Sequence, residues 1–208
     1  IKIKNYKIHN LALSDKKKNT IFNISVNDTA SSLNKISKNL DKYWPGYREA
    51  VFKIKKKIKI KTITLFDFMK ERKIEHINYL HIDTQGHDLK ILNGLKNKIN
   101  KVFSGKLEAS LNKKKAAYEE NHTIADIKKK FKKTHLKISK IENVYHFSSK
   151  GKLTNEVNIF FENKNIILNK LDLKYNTRYH TRVLNGNTSL KDDLIDMYSR
   201  VSNFFLNI

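Results

Sequence analysis

Period-two alternation opens the chain. Ile1 and Ile3 alternate with Lys2 and Lys4, and the run continues to Leu11-Ala12-Leu13, which predicts a strand entering a core. Ser14-Asp15-Lys16-Lys17-Lys18-Asn19 is a polar turn. Thr20 to Val26 alternates again, so the two runs are expected to pair as a hairpin. Asn27 to Gly46 is looser and holds the turn Trp44-Pro45-Gly46. Lys53 to Ile63 returns to period two with lysine and isoleucine. A half-exposed strand near a sheet edge is expected there, where lysines discourage strand addition.

Helical spacing starts at Thr64, a cap residue, with Leu65, Phe68 and Met69 on one face and Asp67 in the first turn. Ile77 to Ile82 is a short buried strand and Gly86 a turn. Asp88 to Leu95 is a helix with Leu89, Leu92 and Leu95 inward. A strand around Val102 to Ala109 precedes a helix over His122 to Leu136, capped by Thr123 and burying Ile124, Ile127 and Phe131. Lys137 to Tyr145 and Asn155 to Phe161 are expected to close antiparallel across Ser148 to Gly151. A polar stretch from Asn176 leads to an amphipathic helix, Ser189 to Phe205. Strands alternating with helices imply an α/β fold with a mainly parallel sheet and helices on both faces. Ligands then sit beyond the C-terminal strand ends.

The 208 residues suffice for one domain with a real core, and 39% hydrophobic content argues against disorder despite 30% charged residues. No apolar run approaches the ~18 residues of a membrane span. The opening segment lacks the apolar stretch of a secretory signal. Cysteine is absent, which excludes disulfides, thiolate zinc sites and a cysteine nucleophile. A cytoplasmic location is the expectation.

The net charge of +23 has two readings. One is a basic module that binds RNA or another polyanion without catalysis. The other is biased composition. Lysine clusters recur at 16–18, 55–57, 113–115 and 128–130, and arginine, the better phosphate fork, is scarce. The scatter favours bias, so nucleic acid is not the expected partner.

Asp83 ends a buried strand, where an ionised carboxylate is costly unless paired or used. It is either a cap for the helix starting near Asp88 or a functional acid at the ligand edge of the sheet. His87 is a candidate general base or a solvent-facing histidine at a helix start. Gly86 permits a turn in which backbone approaches a ligand closely. Glu108, inside an apolar strand, is a substrate-side acid or a paired core carboxylate. His and acidic residues do not occur at metal-ligand spacing on one element, so no metal site is expected.

Three segments together resemble one family. His9 to Asp15 (HNLALSD), Thr29 to Leu33 (TASSL), and Thr64 to Met69 followed by Tyr79 to Gly94 (YLHIDTQGHDLKILNG) are similar, in order, to motifs of FkbM-type methyltransferases. The likeness covers most of residues 8 to 161. It implies a three-layer, Rossmann-like class I methyltransferase fold. It also implies S-adenosylmethionine as cofactor and transfer of its methyl to an oxygen of a sugar, glycan or related small metabolite. Carried onto this sequence, it makes Asp83 and His87 the catalytic candidates. Ala12, Leu13, Ser14, Asp15 and Gln85 become the cofactor-binding ones, with Ala12 and Leu13 as an apolar wall. His81 stands where the family usually has Lys.

The family's opening strand with its Asp-x-Gly-Ala-x-x-Gly turn has no counterpart, since the first glycine is Gly46. With a first residue other than Met, this reads as an N-terminally truncated fold, the C-terminal portion of a longer one. Residues 1–168 are expected to be the methyltransferase domain and 169–208 a C-terminal helical extension.

Overall fold

A computed structural model of the chain describes residues 7–148 and 151–165. Leu11–Lys164 is a compact unit, and the fold is that of this unit. The expected strand over Ile1 to Lys4, the helix from Ser189 to Phe205 and the whole 169–208 extension lie outside the described residues.

Strands β1 (Ala12–Ser14), β2 (Lys18–Ser25) and β3 (Ile54–Thr64) form a three-stranded sheet in the order β1-β3-β2. β3 runs parallel to β1, with Leu13 opposite Ile63, and antiparallel to β2, with Phe22 opposite Ile58. One expectation fails here. The first two strands do not form a hairpin, because β3 lies between them. The hydroxyl of Thr62 donates to Lys16 O at 2.8 Å and accepts from the Lys18 amide at 3.3 Å, bracing the polar turn from the far strand. Over Lys55–Lys61 the lysine-rich β3 pairs only with β2 among the described residues, since β1 meets it at Thr62–Thr64 alone, so this stretch lies at a sheet edge as expected.

The long β2–β3 connection folds into a short helix α1 (Leu40–Tyr43) and a π-helical turn over Arg48–Phe52. Leu40, Trp44 and Phe52 pack with Ala30, Ala117 and Tyr118 as a small second core. The indole of Trp44 donates to Lys115 O at 2.8 Å, and Asn155 Nδ2 donates to Tyr43 O at 3.1 Å. The segment without a clear period is thus held by aromatic burial rather than by regular structure.

Helix α2 (Leu65–Glu71) starts as its sequence predicts: Thr64 Oγ1 accepts from the Asp67 amide at 3.0 Å and donates to its carboxylate at 2.8 Å. β4 (Ile77–Ile82), α3 (Asp88–Asn93), β5 (Val102–Ser110), α4 (Ile124–Phe131), β6 (Leu136–Ser148) and β7 (Gly151–Asn163) follow. Their sheet has the order β4-β5-β7-β6, with β4 and β5 parallel and the other two pairings antiparallel. Both sheets are mixed, so the chain is α/β but not mainly parallel. The short β6–β7 connection forces antiparallel pairing, as only a long crossover returns a strand in parallel.

One core joins the sheets and helices. Ile82, Leu107, Val157, Ile159 and Phe161 from the second sheet meet Leu65 and Met69 of α2, Ile91 and Leu92 of α3, and Ile127 and Phe131 of α4. The rings of Phe131 and Phe161 lie edge to face at 5.4 Å. By register, His81, Lys106, Glu108 and Asn158 share the opposite face of that sheet.

Candidate active site

The loop after β4 is built by two backbone requirements. Gln85 and Gly86 take positive φ, 53° and 86°, a combination that only glycine adopts freely. A side chain on Gly86 would press on Asn34 Nδ2 and Tyr118 Cβ, both 3.2 Å from the Cβ position. Its close approach is thus to protein and not to a ligand. Ser32 Oγ donates to Gln85 O at 2.7 Å and Asn34 Nδ2 to Gly86 O at 2.7 Å, while Asn23 Nδ2 holds the Ser32 and Asn34 carbonyls. The small-residue TASSL segment exists here to clamp this turn.

His87 is 3% exposed, so it is not a solvent-facing residue. Because Asn34 spends its amide hydrogens on Gly86, its Oδ1 faces His87 Nδ1 at 3.0 Å, and Nδ1 carries the ring proton. Nε2 lies 2.9 Å from Ser14 Oγ. Burial lowers the His87 pKa to about 4, so the neutral ring accepts from Ser14 at Nε2. The carboxylate of Asp15, 3.0 Å from the same Oγ, competes for that hydrogen. ALSD and QGHD therefore meet in space although 73 residues separate Ser14 from His87.

Asp83 does not cap α3; its Oδ1 accepts from Gln85 Nε2 at 3.1 Å. The Gln85 carbonyl end faces the hydroxyl of Tyr118, which donates to Ala30 O at 2.6 Å and lies 3.3 Å from Gln85 Oε1. Asp83 reaches solvent, yet surrounding protein and Glu156 raise its pKa against the pull of Lys106 and Gln85. Glu108 is driven well above the usual carboxylate range by burial, then by Asp83, Glu156 and Asp88. Burial, chiefly, also lowers His81 to about 3. Asp83, Glu108 and Glu156 thus share one field around Lys106, a cluster of the kind found at functional sites. No group of three His, Asp or Glu side chains suited to a metal ion occurs among the described residues.

Asp88 is the buried anchor beneath them. It is fully buried, and its Oδ1 accepts from the Thr84 amide at 3.0 Å and the Thr84 hydroxyl at 2.5 Å. Its Oδ2 accepts from the Glu108 amide at 2.9 Å, tying α3 to β5. Burial and the charge of Asp83 push its pKa up to about 7.

A family model described as the methyltransferase FkbM domain matches residues 2–137. The chain belongs to the FkbM methyltransferase family. No curated protein and no solved structure matches the chain. The family span includes the clamp, the β4 loop, Asp88 and Glu108; Glu156 falls beyond it.

For a family whose members act generally with S-adenosylmethionine, the expected cofactor residues divide. Ala12 and Ser14 are buried at 6% and 0% exposure, and Leu13 packs on the main core, so none of them offers an open wall. Asp15 and Gln85 are half-buried and keep polar atoms at the sheet edge. Carboxylates and a side-chain amide suit a cationic donor that also carries an amine and ribose hydroxyls. Sequence reasoning missed Asn34, Tyr118, Asp88 and Glu156. Asn34 directly follows the TASSL segment and was within reach. Tyr118 and Glu156 stand in a Lys-Ala-rich loop and a plain β7 alternation, with no local signal.

Proposed function

We propose that this methyltransferase uses S-adenosylmethionine to methylate a hydroxyl of a sugar, glycan or related metabolite, with Asp83 as the proton acceptor. The observation that carries this reading is the raised-pKa carboxylate of Asp83, which keeps access to solvent while Gln85 and Tyr118 fix its orientation. Asp15, Asp83 and Gln85 would hold the donor. When bound, the donor supplies an electrophilic methyl on a sulfonium. The chain's own contribution is alignment and proton removal. As the acceptor oxygen bonds to the methyl and the sulfonium–methyl bond breaks, the acceptor's proton passes to Asp83, and burial and Glu156 make that carboxylate more basic. His87 acts through Ser14 and Asn34 as a positioning residue, since its Nε2 is already bonded.

The test is calorimetric titration of S-adenosylhomocysteine into the 208-residue chain. Binding that weakens in Asp15→Asn, followed by labelled methyl transfer to a sugar panel that fails in Asp83→Asn, is the expected pattern. A folded chain that binds no S-adenosylhomocysteine overturns the reading.

A further inference from the structure

The parallel β4–β5 ladder ends where Ile82 faces Leu107. Asp83 and Glu108 are each the next residue beyond that last pair. Glu108 remains in a strand, because β5 continues along β7 and sets it opposite Asn158. Asp83 has left β4 and enters a turn in which Gln85 and Gly86 take positive φ. The ladder therefore stops fixing the Asp83 backbone just where its carboxylate is to be used.

The carboxylate of Asp88 takes over across the two strand ends. Its Oδ1 accepts from the Thr84 amide at 3.0 Å and from the Thr84 hydroxyl at 2.5 Å, and its Oδ2 accepts from the Glu108 amide at 2.9 Å. The Thr84 amide belongs to the peptide group that also carries the Asp83 carbonyl, so Asp88 sets the plane of that peptide. Bonds to both oxygens from two segments of chain stop the carboxylate from turning.

A plain staple between α3 and β5 is the ordinary explanation, and the Glu108 and Thr84 amides are enough for it. The Thr84 hydroxyl adds a further bond from the same residue, which fixes the orientation of the chain beside Asp83. The cost of the arrangement also falls at this point: the carboxylate of Asp88 is fully buried, with the charge of Asp83 opposing its own.

We infer that Asp88, through Thr84, is a positioning residue that holds the Asp83 carboxylate where it takes the acceptor's proton. The inference rests on the methyl-transfer reading of this site. Asp88 itself is too deeply buried to touch the reacting atoms. Its effect is on placement, and a displacement of about 1 Å at a reacting centre can cost about a hundredfold in rate.

Thr84→Val keeps the shape of the side chain and the amide bond but removes the hydroxyl, and Thr84→Ser restores it. The Asp83 carboxyl carbon is titrated by NMR in the full chain and both variants, beside labelled methyl transfer from S-adenosylmethionine to the sugar panel. In Thr84→Val, kcat should fall at least about tenfold, with the donor KM close to that of the parent. Asp83 should titrate lower, toward the usual carboxylate range, as its turn opens to water. Thr84→Ser should recover both values. A role in stability alone would lower the urea midpoint of Thr84→Val and leave the Asp83 titration as in the parent. That result overturns this inference alone, as does a Thr84→Ser variant as impaired as Thr84→Val. Methyl transfer at the parent rate by Asp83→Asn overturns the methyl-transfer reading and this inference with it.

Discussion

Ser14 Oγ lies 2.9 Å from His87 Nε2, joining the end of β1 to the loop after β4 inside the protein. The imidazole is kept neutral by burial, with a pKa lowered to about 4, whereas an unfolded histidine titrates near ~6.5. Folding therefore excludes a proton from this ring. Its contribution to stability is complete above pH ~6.5 and is lost as pH falls toward about 4. A His87→Gln variant is expected to be less stable than the parent at pH 7, and the gap should narrow by about 2 kcal/mol at pH 5. Urea unfolding of both proteins at the two pH values checks this; a constant gap would show that His87 does not titrate in that window.

Asp88 is bonded at both oxygens by backbone amides, Thr84 at Oδ1 and Glu108 at Oδ2. Asparagine has the same shape but brings an NH2 group in place of one oxygen. Whichever way the amide turns, a donor faces a backbone donor in a fully buried place. Asp88→Asn is therefore expected to destabilise by about 1–3 kcal/mol at pH 8 despite removing a buried charge. Chemical denaturation measures it, and a variant as stable as the parent would show that the charge, not the hydrogen bonds, dominates here. Its folded pKa near 7 sets the opposite pH trend to His87: stability from Asp88 is present below pH ~4 and declines as pH rises toward about 7.

The field around Asp83 can be probed by changing its neighbours. Lys106 lowers its pKa and Glu156 raises it. Lys106→Met should therefore move the Asp83 pKa further up, and Glu156→Gln should move it down. Titration of the Asp83 carboxyl carbon by NMR reads both. Shifts of the same sign in the two variants would mean that structural rearrangement, not charge, sets the value.

Much of this was legible in the chain. Thr64 with Asp67, and Thr123, announced their helices because a cap is a local event written in adjacent residues. The β6–β7 hairpin was likewise local. The pairing of β3 between β1 and β2 was not, since alternation tells that a strand exists but not which neighbour it meets. Asp83 was found because it directly follows the apolar end of a strand, Ile82. Its partners Tyr118 and Glu156 escaped because only the folded chain brings residues 35 and 73 positions away to it, and neither carries a turn or cap signature. The lysines of β3 were legible as an edge device, because Lys55–Lys61 pairs with β2 alone.

Gly94 closes α3 with helical backbone angles, φ −63° and ψ −13°. At such a position alanine ordinarily gains about 0.5–1 kcal/mol over glycine. Here its Cβ would stand 2.3 Å from the backbone oxygen of Ser14, an atom fixed within the β1–β3 pairing. The Gly94 carbonyl meanwhile accepts from the Phe66 amide at 3.0 Å, so the helix end cannot slide away without losing α2 as well. Gly94→Ala should therefore reverse the usual sign and cost at least about 2 kcal/mol, as overpacking against an immobile neighbour does. It should also separate Ser14 from His87, raising the histidine pKa toward its unfolded value as water enters. A urea midpoint at or above that of the parent would show that β1 yields to the added methyl, and that the contact between the two motifs is looser than the 2.3 Å approach implies.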